Sequence, residues 1–264
     1  MIVTSIESLG PRTGARAARH LDIAFRDMMA GPWSVQDERY LRLVTGQPHP
    51  MGNVTVVSRP DDVAAALEAT APLVDCGAPA AAIFPAGATA EVVEAVKAQG
   101  FPLEASMPAM AVDIDRMRPT SLPPGYDFMR VGAGAEGVEW AEALAVGYEI
   151  PRPMAEMFAP VTLGADASAD AKIQFFAVRH EGRQVATTQL YLADGLAGIY
   201  CVSTRPEERH KGLGAHATAE ALRTVRRLGY RVGVLQSSTA GHSVYLGLGF
   251  GDYANIPMLV RVPG

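Results

Sequence analysis

The chain has 264 residues, of which 48% are hydrophobic and 19% are charged, and its formal net charge at pH 7 is −5. This length allows one or two domains with a sizeable core, and the sequence lacks the run of about eighteen uncharged apolar residues that a membrane-spanning helix needs. The excess of acidic residues argues against a nucleic-acid-binding protein, which usually carries a basic surface.

Residues 1–120 are predicted to form the smaller of two domains. The spacing of apolar residues and the turn residues between them predict, in chain order, helices over 13–30 and 34–44, a strand over 52–58, a helix opened by Pro60, a strand over 80–84, a helix that stops at Gly100, and an extended segment over 103–115. From residue 52 onward this order is βαβαβ.

A proline-rich segment with few core residues, 116–128, indicates a domain boundary, and the second domain is predicted over 121–264. Its predicted elements are a strand over 126–131, helices over 136–148 and 151–163, strands over 172–180, 184–193 and 196–204, a helix over 212–228, a strand over 230–236, a short helix around 241–246, and strands over 249–255 and 257–262.

Two turns in the second domain determine how its strands pair. Glu181-Gly182 and Asp194-Gly195 each join two strand segments through residue types that tight hairpins favour. Since parallel strands need long crossover connections, the three strands between residues 172 and 204 are predicted to be antiparallel.

A charged loop with two glycines follows the third of these strands and precedes a helix. The first backbone N–H groups of a helix have no intrahelical partner, and the helix dipole adds a positive potential, so such an end can bind a phosphate. Gly212 and Gly214 would let a ligand approach these amides, and Arg209, His210 and Lys211 add positive charge. The loop is interpreted as a polyphosphate site. The alternatives are a mobile, solvated loop and the dinucleotide site of an oxidoreductase, which the antiparallel strands oppose.

This loop resembles the phosphate loop of the GNAT superfamily of N-acetyltransferases. Residues 209–214, RHKGLG, match the family pattern Q/R-x-x-G-x-G/A. The predicted order of elements over about 124–262 also matches the family fold.

A second segment is similar to the family pattern N-x-x-A-x-x-hydrophobic-Y-x-x-x-G-F. Tyr245, Gly249 and Phe250 are in register with it, whereas Ser238 replaces the usual Asn and Gly241 the usual Ala. The contact expected of residue 238 is therefore weaker than in the family.

The resemblance implies an α/β (α+β) GNAT fold, with a mixed, mostly antiparallel central sheet flanked by helices and a smaller βαβαβ GNAT-like domain before it. Between its first strand and helix, that domain has only Arg59 and Pro60 in place of a glycine-rich loop. It is expected to be a degenerate copy that shapes the acceptor site and does not bind CoA.

The resemblance also implies which residues hold acetyl-CoA. Backbone amides of the loop would bind the pyrophosphate, and the main chain of the preceding strand would pair with the pantetheine arm. The residues expected to bind are Val202, Ser203, Thr204, Arg209, His210, Lys211, Gly212, Leu213, Gly214, Ala215 and Ser238. Arg205 is either a phosphate partner or a surface residue.

For catalysis, the family uses a tyrosine at the position of Tyr245 to protonate the CoA sulfur; the alternative is a core residue of a short helix. A backbone N–H near Val202 is expected to stabilise the oxyanion. The candidates for the general base are Glu149, Tyr191, Tyr200, Asp194 and a chain of water molecules.

Cys76 and Cys201 are too few for a disulfide framework, and no histidine stands at metal-ligand spacing. Cys201 is interpreted as a small apolar strand residue. We therefore expect a cytoplasmic enzyme without a metal. The N-terminal residues lack the apolar core of a secretory signal and are read as part of the fold.

The function expected from these features is acetyl-CoA-dependent N-acetylation of the primary amine of a small molecule by direct transfer. The alternatives are a non-catalytic acyl-CoA sensor and a nucleotide-binding oxidoreductase. No nucleic-acid or membrane partner is expected, and a homodimer is left open.

Overall fold

The structure is a computed structural model that describes residues 2–263, and it divides into two compact units. The larger unit contains 2–13 and Met110–Asp252, and the smaller unit contains Gly14–Ala109 and 253–263. Each unit is described separately below.

The helices of at least four residues are α1 (Ile6–Leu9), α2 (Thr13–Met28), α3 (Val63–Asp75), α4 (Ala90–Ala98), α5 (Ala135–Tyr148), α6 (Arg152–Met157), α7 (Pro160–Leu163), α8 (Leu213–Thr224) and α9 (His242–Leu248). The strands are β1 (Ser34–Gln36), β2 (Tyr40–Val44), β3 (Asn53–Val57), β4 (Ala80–Ile83), β5 (Leu103–Asp113), β6 (Tyr126–Val131), β7 (Ile173–His180), β8 (Arg183–Ala193), β9 (Leu196–Thr204), β10 (Val232–Gln236) and β11 (Gly251–Arg261). Over residues 2–263 no helix is both long and apolar enough to cross a bilayer.

The sheet of the larger unit has the strand order β5-β10-β9-β8-β7-β6. The chain between β7 and β9 forms two hairpins, and both residues of each predicted turn have a left-handed φ: 49° and 79° at Glu181 and Gly182 and, in the second turn, 51° and 73° at Asp194 and Gly195. A turn with two positive φ angles matches the twist of the strands that it joins. The predicted antiparallel pairing of these strands is confirmed.

The two faces of this sheet have different character. On one face Leu190 and Ile199 pack with Leu222 of α8 in an aliphatic core. On the other face Thr187 and Ser203 are buried beneath α5, and their hydroxyl oxygens lie 2.8 Å apart. Polar side chains of β8 and β9 thus lie under α5.

The smaller unit has the strand order β1-β2-β3-β4-β11-β5. The predicted βαβαβ order is confirmed as β3-α3-β4-α4-β5. Asp62 begins α3 by accepting a hydrogen bond from the Ala65 N–H at 2.9 Å, and Thr89 caps α4 in the same way.

The prediction of a helix over 34–44 is wrong, because this segment forms the hairpin of β1 and β2. A tight turn is stabilised by Asp37, which accepts the Arg39 N–H at 2.8 Å. All five residues of β2 then pair with β3, and Leu41 and Leu43 are almost completely buried. Pairing with a strand distant in sequence therefore outweighs the helical spacing of the apolar residues.

The division into units differs from the predicted boundary between residues 120 and 121. Residues 110–120 belong to the larger unit, where the Ile114 N–H donates to the Arg231 carbonyl oxygen at 2.8 Å. The two strands predicted over 249–262 are a single strand, β11, and its second half pairs with β4 from Met258 to Arg261. The division therefore passes through β5, between Ala109 and Met110, and not through the proline-rich segment.

The predicted helix over 151–163 is two short helices, α6 and α7, separated at Phe158 and Ala159. The predicted helix over 212–228 ends at Thr224 and continues as a 3-10 turn, Arg226–Leu228. Neither difference moves a candidate site residue off its predicted element.

Candidate functional site

The N-terminus of α8 presents a row of free backbone amides. Gly212 is the N-cap residue, with a φ of 76°, and the first helical hydrogen bond runs from the His216 N–H to the Gly212 carbonyl oxygen at 3.0 Å. Within the described part of the chain, the N–H groups of residues 210–215 have no acceptor. At the positive end of a helix dipole, such amides form a site for an anion.

Open space lies in front of these amides. A Cβ atom at Gly212 would meet no heavy atom within 4 Å. A Cβ atom at Gly214 would lie 3.5 Å from the Val202 side chain and 3.6 Å from the Thr204 side chain. The missing side chain at Gly214 therefore leaves a narrow gap between α8 and β9.

The start of α3 in the smaller unit is different, because its N-cap Asp62 already supplies a carboxylate to that helix end. An anionic ligand would compete there with the protein's own side chain. The start of α8 has no side-chain cap.

Arg209, the first residue of the loop motif, connects three elements. Its Nη2 donates to the Gly147 carbonyl oxygen at 2.9 Å and to Glu149 Oε1 at 3.1 Å, and its Nε donates to the Thr204 carbonyl oxygen at 3.3 Å. The guanidinium group thus joins the loop to the ends of α5 and β9.

Lys211 is also paired with protein groups. Its Nζ donates to Glu208 Oε2 at 2.7 Å and to the Tyr126 hydroxyl at 2.9 Å. Hydrogen bonds from Lys211 and Tyr126 lower the pKa of Glu208, and His180 stacks on the Tyr126 ring. Because the charges of Arg209 and Lys211 are both balanced internally, the amides are the donors left for an anion.

Strand β9 diverges from β10 beside this loop. The two strands pair in parallel only at Gly233 with Ala197 and at Val234 with Gly198, although β9 continues to Thr204. The second half of β9, which contains the predicted Val202, Ser203 and Thr204, therefore has an open edge on that side. An extended ligand could pair with this edge as an added strand.

A bulge interrupts β9 within this open stretch. Thr187 of β8 is opposite Ser203, but Gln189 is opposite Tyr200, so β9 contains one extra residue. Cys201 adopts a left-handed φ of 50°, and its carbonyl oxygen accepts the Thr187 hydroxyl at 2.7 Å. A bulge redirects the neighbouring backbone groups, here beside Val202.

Tyr245 lies on α9 and packs against the aliphatic core on the α8 side of the sheet. Its ring makes an edge contact with Phe250, with centroids 5.9 Å apart. Burial raises the pKa of Tyr245, so the phenol remains protonated at neutral pH. A neutral phenol can donate a proton and is not a base.

Tyr148, which the sequence analysis did not single out, is the last residue of α5, and 46% of its surface is exposed. Desolvation, followed by the proximity of Cys201 and Tyr245, raises its pKa. No sequence motif marks it, because its surroundings depend on where α5 ends against β9.

The proposed bases are in different surroundings. Glu149 is exposed and forms the ion pair with Arg209. Tyr191 and Tyr200 are buried with their rings in edge contact, and burial raises the pKa of Tyr200. Asp194 is in the hairpin turn at the opposite end of β9 from Thr204.

Cys201 lies at the bulge and is partly buried. Its Sγ donates to Gln189 Oε1 at 3.4 Å, and burial raises its pKa to about 12. The thiolate that a nucleophilic cysteine requires is therefore almost absent at neutral pH. Across the described chain, no group of His, Cys, Asp and Glu side chains is arranged to hold a metal ion.

Two further residues have structural partners. Arg205 is neither a loop donor nor a surface residue: it is buried, donates to the Gln184 carbonyl oxygen at 3.0 Å and pairs with Glu142 at 3.3 Å. The exposed Ser238 accepts the Gly241 N–H on its Oγ at 3.2 Å and so stabilises the turn before α9.

Residues 137–250, which contain the amide loop, the open edge of β9 and Tyr245, match the model of the Acetyltransferase (GNAT) family. Similar solved structures include two GCN5-related N-acetyltransferases. The one from Kribbella flavida is 19% identical, with 94% of this chain and 96% of that chain covered and a TM-score of 0.61. The one from Sphaerobacter thermophilus is 14% identical, with 95% of this chain and 93% of that chain covered and a TM-score of 0.60. Another is a tandem GNAT protein from the clavulanic acid biosynthesis pathway, which is 14% identical, with 100% of this chain and 97% of that chain covered and a TM-score of 0.59. A comparison with curated proteins found no match. The fold predicted from the resemblance is confirmed.

Proposed function

We propose, on the premise that residues 137–250 match the Acetyltransferase (GNAT) family model, that the chain transfers an acetyl group from acetyl-CoA to the primary amine of a small molecule. The transfer is direct, without an acetylated cysteine, because desolvation raises the pKa of the Cys201 thiol to about 12 and leaves little thiolate at neutral pH.

One observation carries this proposal: the free amides at the start of α8 stand beside the open edge of β9. The amides of residues 210–215 suit a diphosphate, and the main chain of Val202, Ser203 and Thr204 suits the amide groups of a pantetheine arm. The donor set of the chain therefore fits CoA. Ser238 would contribute to the site indirectly, because its hydroxyl oxygen accepts the Gly241 N–H and so stabilises the turn before α9.

Acetyl-CoA supplies the acetyl thioester that the amine attacks. A backbone N–H beside the bulge, at Val202, donates to the thioester oxygen as negative charge develops there. Tyr245 donates its phenolic proton to the sulfur while the C–S bond breaks and the N–C bond forms. The amine nitrogen loses one proton to water, and the Tyr245 phenolate takes one up, so the proton balance closes.

We assign the removal of the amine proton to water because Glu149 is ion-paired with Arg209. The amine would therefore react from its neutral form, and turnover would rise with pH toward the pKa of the amine.

Release of free CoA thiol tests the proposal. Purified protein is incubated with acetyl-CoA and a panel of small primary amines, and DTNB reports new thiols after subtraction of the protein's own cysteines. Amine-dependent thiol release is expected. Binding of CoA in calorimetry without release from any amine would favour the acyl-CoA sensor. Thermal stabilisation by NADH and not by CoA would favour an oxidoreductase, whose parallel sheet the hairpins of β7, β8 and β9 oppose.

The proposed setting is the cytoplasm, with a small amine as the only partner that the mechanism requires. No step in it uses a metal ion, a nucleic acid or a membrane.

A further inference from the structure

A network of three side chains anchors the loop that carries the free amides. The Tyr126 hydroxyl donates to Glu208 Oε2 at 2.7 Å. The Lys211 Nζ donates to the same oxygen at 2.7 Å and to the Tyr126 hydroxyl at 2.9 Å. Each of the three groups therefore contacts the other two. The Glu208 side chain is only 12% exposed, so solvent screens these contacts less than it screens a surface ion pair.

The sheet holds Tyr126 in place behind this network. Tyr126 is the first residue of β6 and is paired with His180, the last residue of β7. The two rings are stacked, with centroids 4.0 Å apart and an angle of 7° between their planes. Tyr126 also packs against the apolar cluster in which Leu213, the first residue of α8, is buried. The hydroxyl group of the network thus belongs to a residue that two strands and α8 hold.

The loop has a strained residue between two anchored ones. His210 adopts a left-handed φ of 67°, which a residue with a side chain disfavours. Such a conformation persists only where its surroundings impose it. Arg209 on one side of His210 is bonded to α5 and β9, and Lys211 on the other side is bonded to the network. If these contacts were lost, the loop would populate other conformations, and the apparent affinity for a ligand falls with the fraction of molecules that can bind it.

We propose that Tyr126, Glu208 and Lys211 are positioning residues for the diphosphate of CoA: they hold the backbone amides of residues 210–215 in the binding conformation, and the Lys211 ammonium group does not itself bind the phosphates. This inference rests on the proposed function and extends it from the amides to the side chains that hold them. It gives a different role to a lysine that the sequence offered as a source of positive charge, because that charge is already paired with Glu208.

Tyr126→Phe tests the network without changing any charge. Phenylalanine keeps the ring that stacks on His180 but loses the hydroxyl and its two hydrogen bonds. The Kd of CoA in calorimetry should rise about three- to tenfold. The kcat at saturating acetyl-CoA should stay within about twofold of wild type, since bound ligand then holds the amides. Tyr230→Phe is the control, because Tyr230 packs against the other apolar cluster of this unit, and it should leave the Kd unchanged.

Glu208→Gln and Glu207→Gln separate positioning from charge. Each variant removes one negative charge, and Glu207 is the exposed neighbour of Glu208 in the 3-10 helix Pro206–Glu208. If charge alone mattered, both variants would bind the anionic CoA more tightly. Glu207→Gln should not raise the Kd of CoA, whereas Glu208→Gln should raise it about three- to tenfold, because the network loses its charge-assisted hydrogen bonds. An unchanged or lower Kd in Glu208→Gln would overturn the inference.

Lys211→Met tests whether the lysine contacts the phosphates. The Lys211 charge is paired with Glu208 in wild type and is released in Glu208→Gln. A positioning lysine acts through Glu208, so Lys211→Met should raise the Kd of CoA less in the Glu208→Gln background than in wild type. A lysine that bound the phosphates would have a larger effect once its charge is released. An equal or larger effect in Glu208→Gln therefore counts against the inference.

The outcomes distinguish this inference from the proposed function. Wild-type protein that binds CoA, together with an unchanged Kd in Tyr126→Phe, overturns the inference alone. Wild-type protein that does not bind CoA overturns both. Binding of CoA without acetylation of any amine overturns the transfer, and the Kd values of the variants still decide the inference. Melting temperatures establish that each variant is folded, and Tyr126→Phe decides if Glu208→Gln is not.

Discussion

The Arg209 guanidinium group lies 3.1 Å from the Glu149 carboxylate, so the first residue of the amide loop is ion-paired with the side chain that the sequence offered as a general base. Glu149 also ends α5. Glu149 therefore has a structural role, as the ion-pair partner of Arg209 and as the residue that ends α5, and this role does not require it to accept a proton.

Glu149→Gln distinguishes a base from a structural residue. The amide oxygen can still accept the Arg209 hydrogen bond, so we expect kcat to fall less than about threefold and the shape of the pH–rate profile to be retained. Loss of a general base would instead lower kcat by about 10²–10⁴-fold. Initial rates at saturating acetyl-CoA between pH 6 and 9 measure the difference, and a fall of that size would return Glu149 to the mechanism.

The open space at Gly212 leads to a second prediction, which concerns the affinity for CoA. Gly212→Ala places a methyl group among the free amides without touching the protein, and it should weaken CoA binding about tenfold or more by obstructing charge-assisted hydrogen bonds. The left-handed φ of 76° also costs alanine about 1–2 kcal/mol of stability.

Gly182→Ala is the matched control for this variant. Gly182 has a φ of 79° and likewise no heavy atom within 4 Å of an added Cβ, but it lies in the hairpin turn between β7 and β8. Both variants should lose similar stability in urea unfolding, and only Gly212→Ala should lose CoA affinity in calorimetry. Equal CoA affinities would place the diphosphate elsewhere.

The hairpins and the amide loop could be predicted because their signals are local. The turns at Glu181-Gly182 and Asp194-Gly195 require residues that tolerate a positive φ, and the motif of residues 209–214 specifies a helix start without a side-chain cap. In the hairpin turns and in the loop, the backbone conformation is determined by the residue types within a few positions of each other in the sequence.

The remaining features depend on distant partners and could not be read locally. The segment 34–44 has helical spacing but pairs with β3. The open edge of β9 exists because β10 pairs with only two of its residues. The end of α5 lies against β9 because Gly147 lets it approach Ser203, and the sequence pattern of α5 predicts the helix without showing what its end contacts.

The pairing of Lys211 with Glu208 predicts a dependence of stability on pH. Lys211 and Tyr126 lower the folded-state pKa of Glu208 below its ordinary value of 4.5. A lowered pKa contributes stability that is fully present above about pH 4.5 and is lost as the pH falls through the folded-state value. Wild type should therefore exceed Glu208→Gln in unfolding free energy at pH 7, by about 0.5–1 kcal/mol for a partly exposed pair.

That difference should shrink below pH 4.5, which urea unfolding at pH 7, 5.5 and 3.5 measures. Glu207→Gln removes the same charge from the neighbouring residue, which pairs with no cation among residues 2–263, and should show no such trend. A constant difference between wild type and Glu208→Gln at all three pH values would contradict the prediction.

Tyr245→Phe tests the proton donor. The ring remains, so packing against Phe250 and the core is retained, and the Kd of CoA should stay within about twofold. Without the phenolic proton the sulfur must leave as a thiolate, and kcat should fall about 10²–10⁴-fold. Tyr230→Phe is the control, because Tyr230 packs against the same core cluster and burial raises its pKa as well. If both variants keep the wild-type kcat in the thiol-release assay, Tyr245 is a core residue and the sulfur takes its proton from another donor.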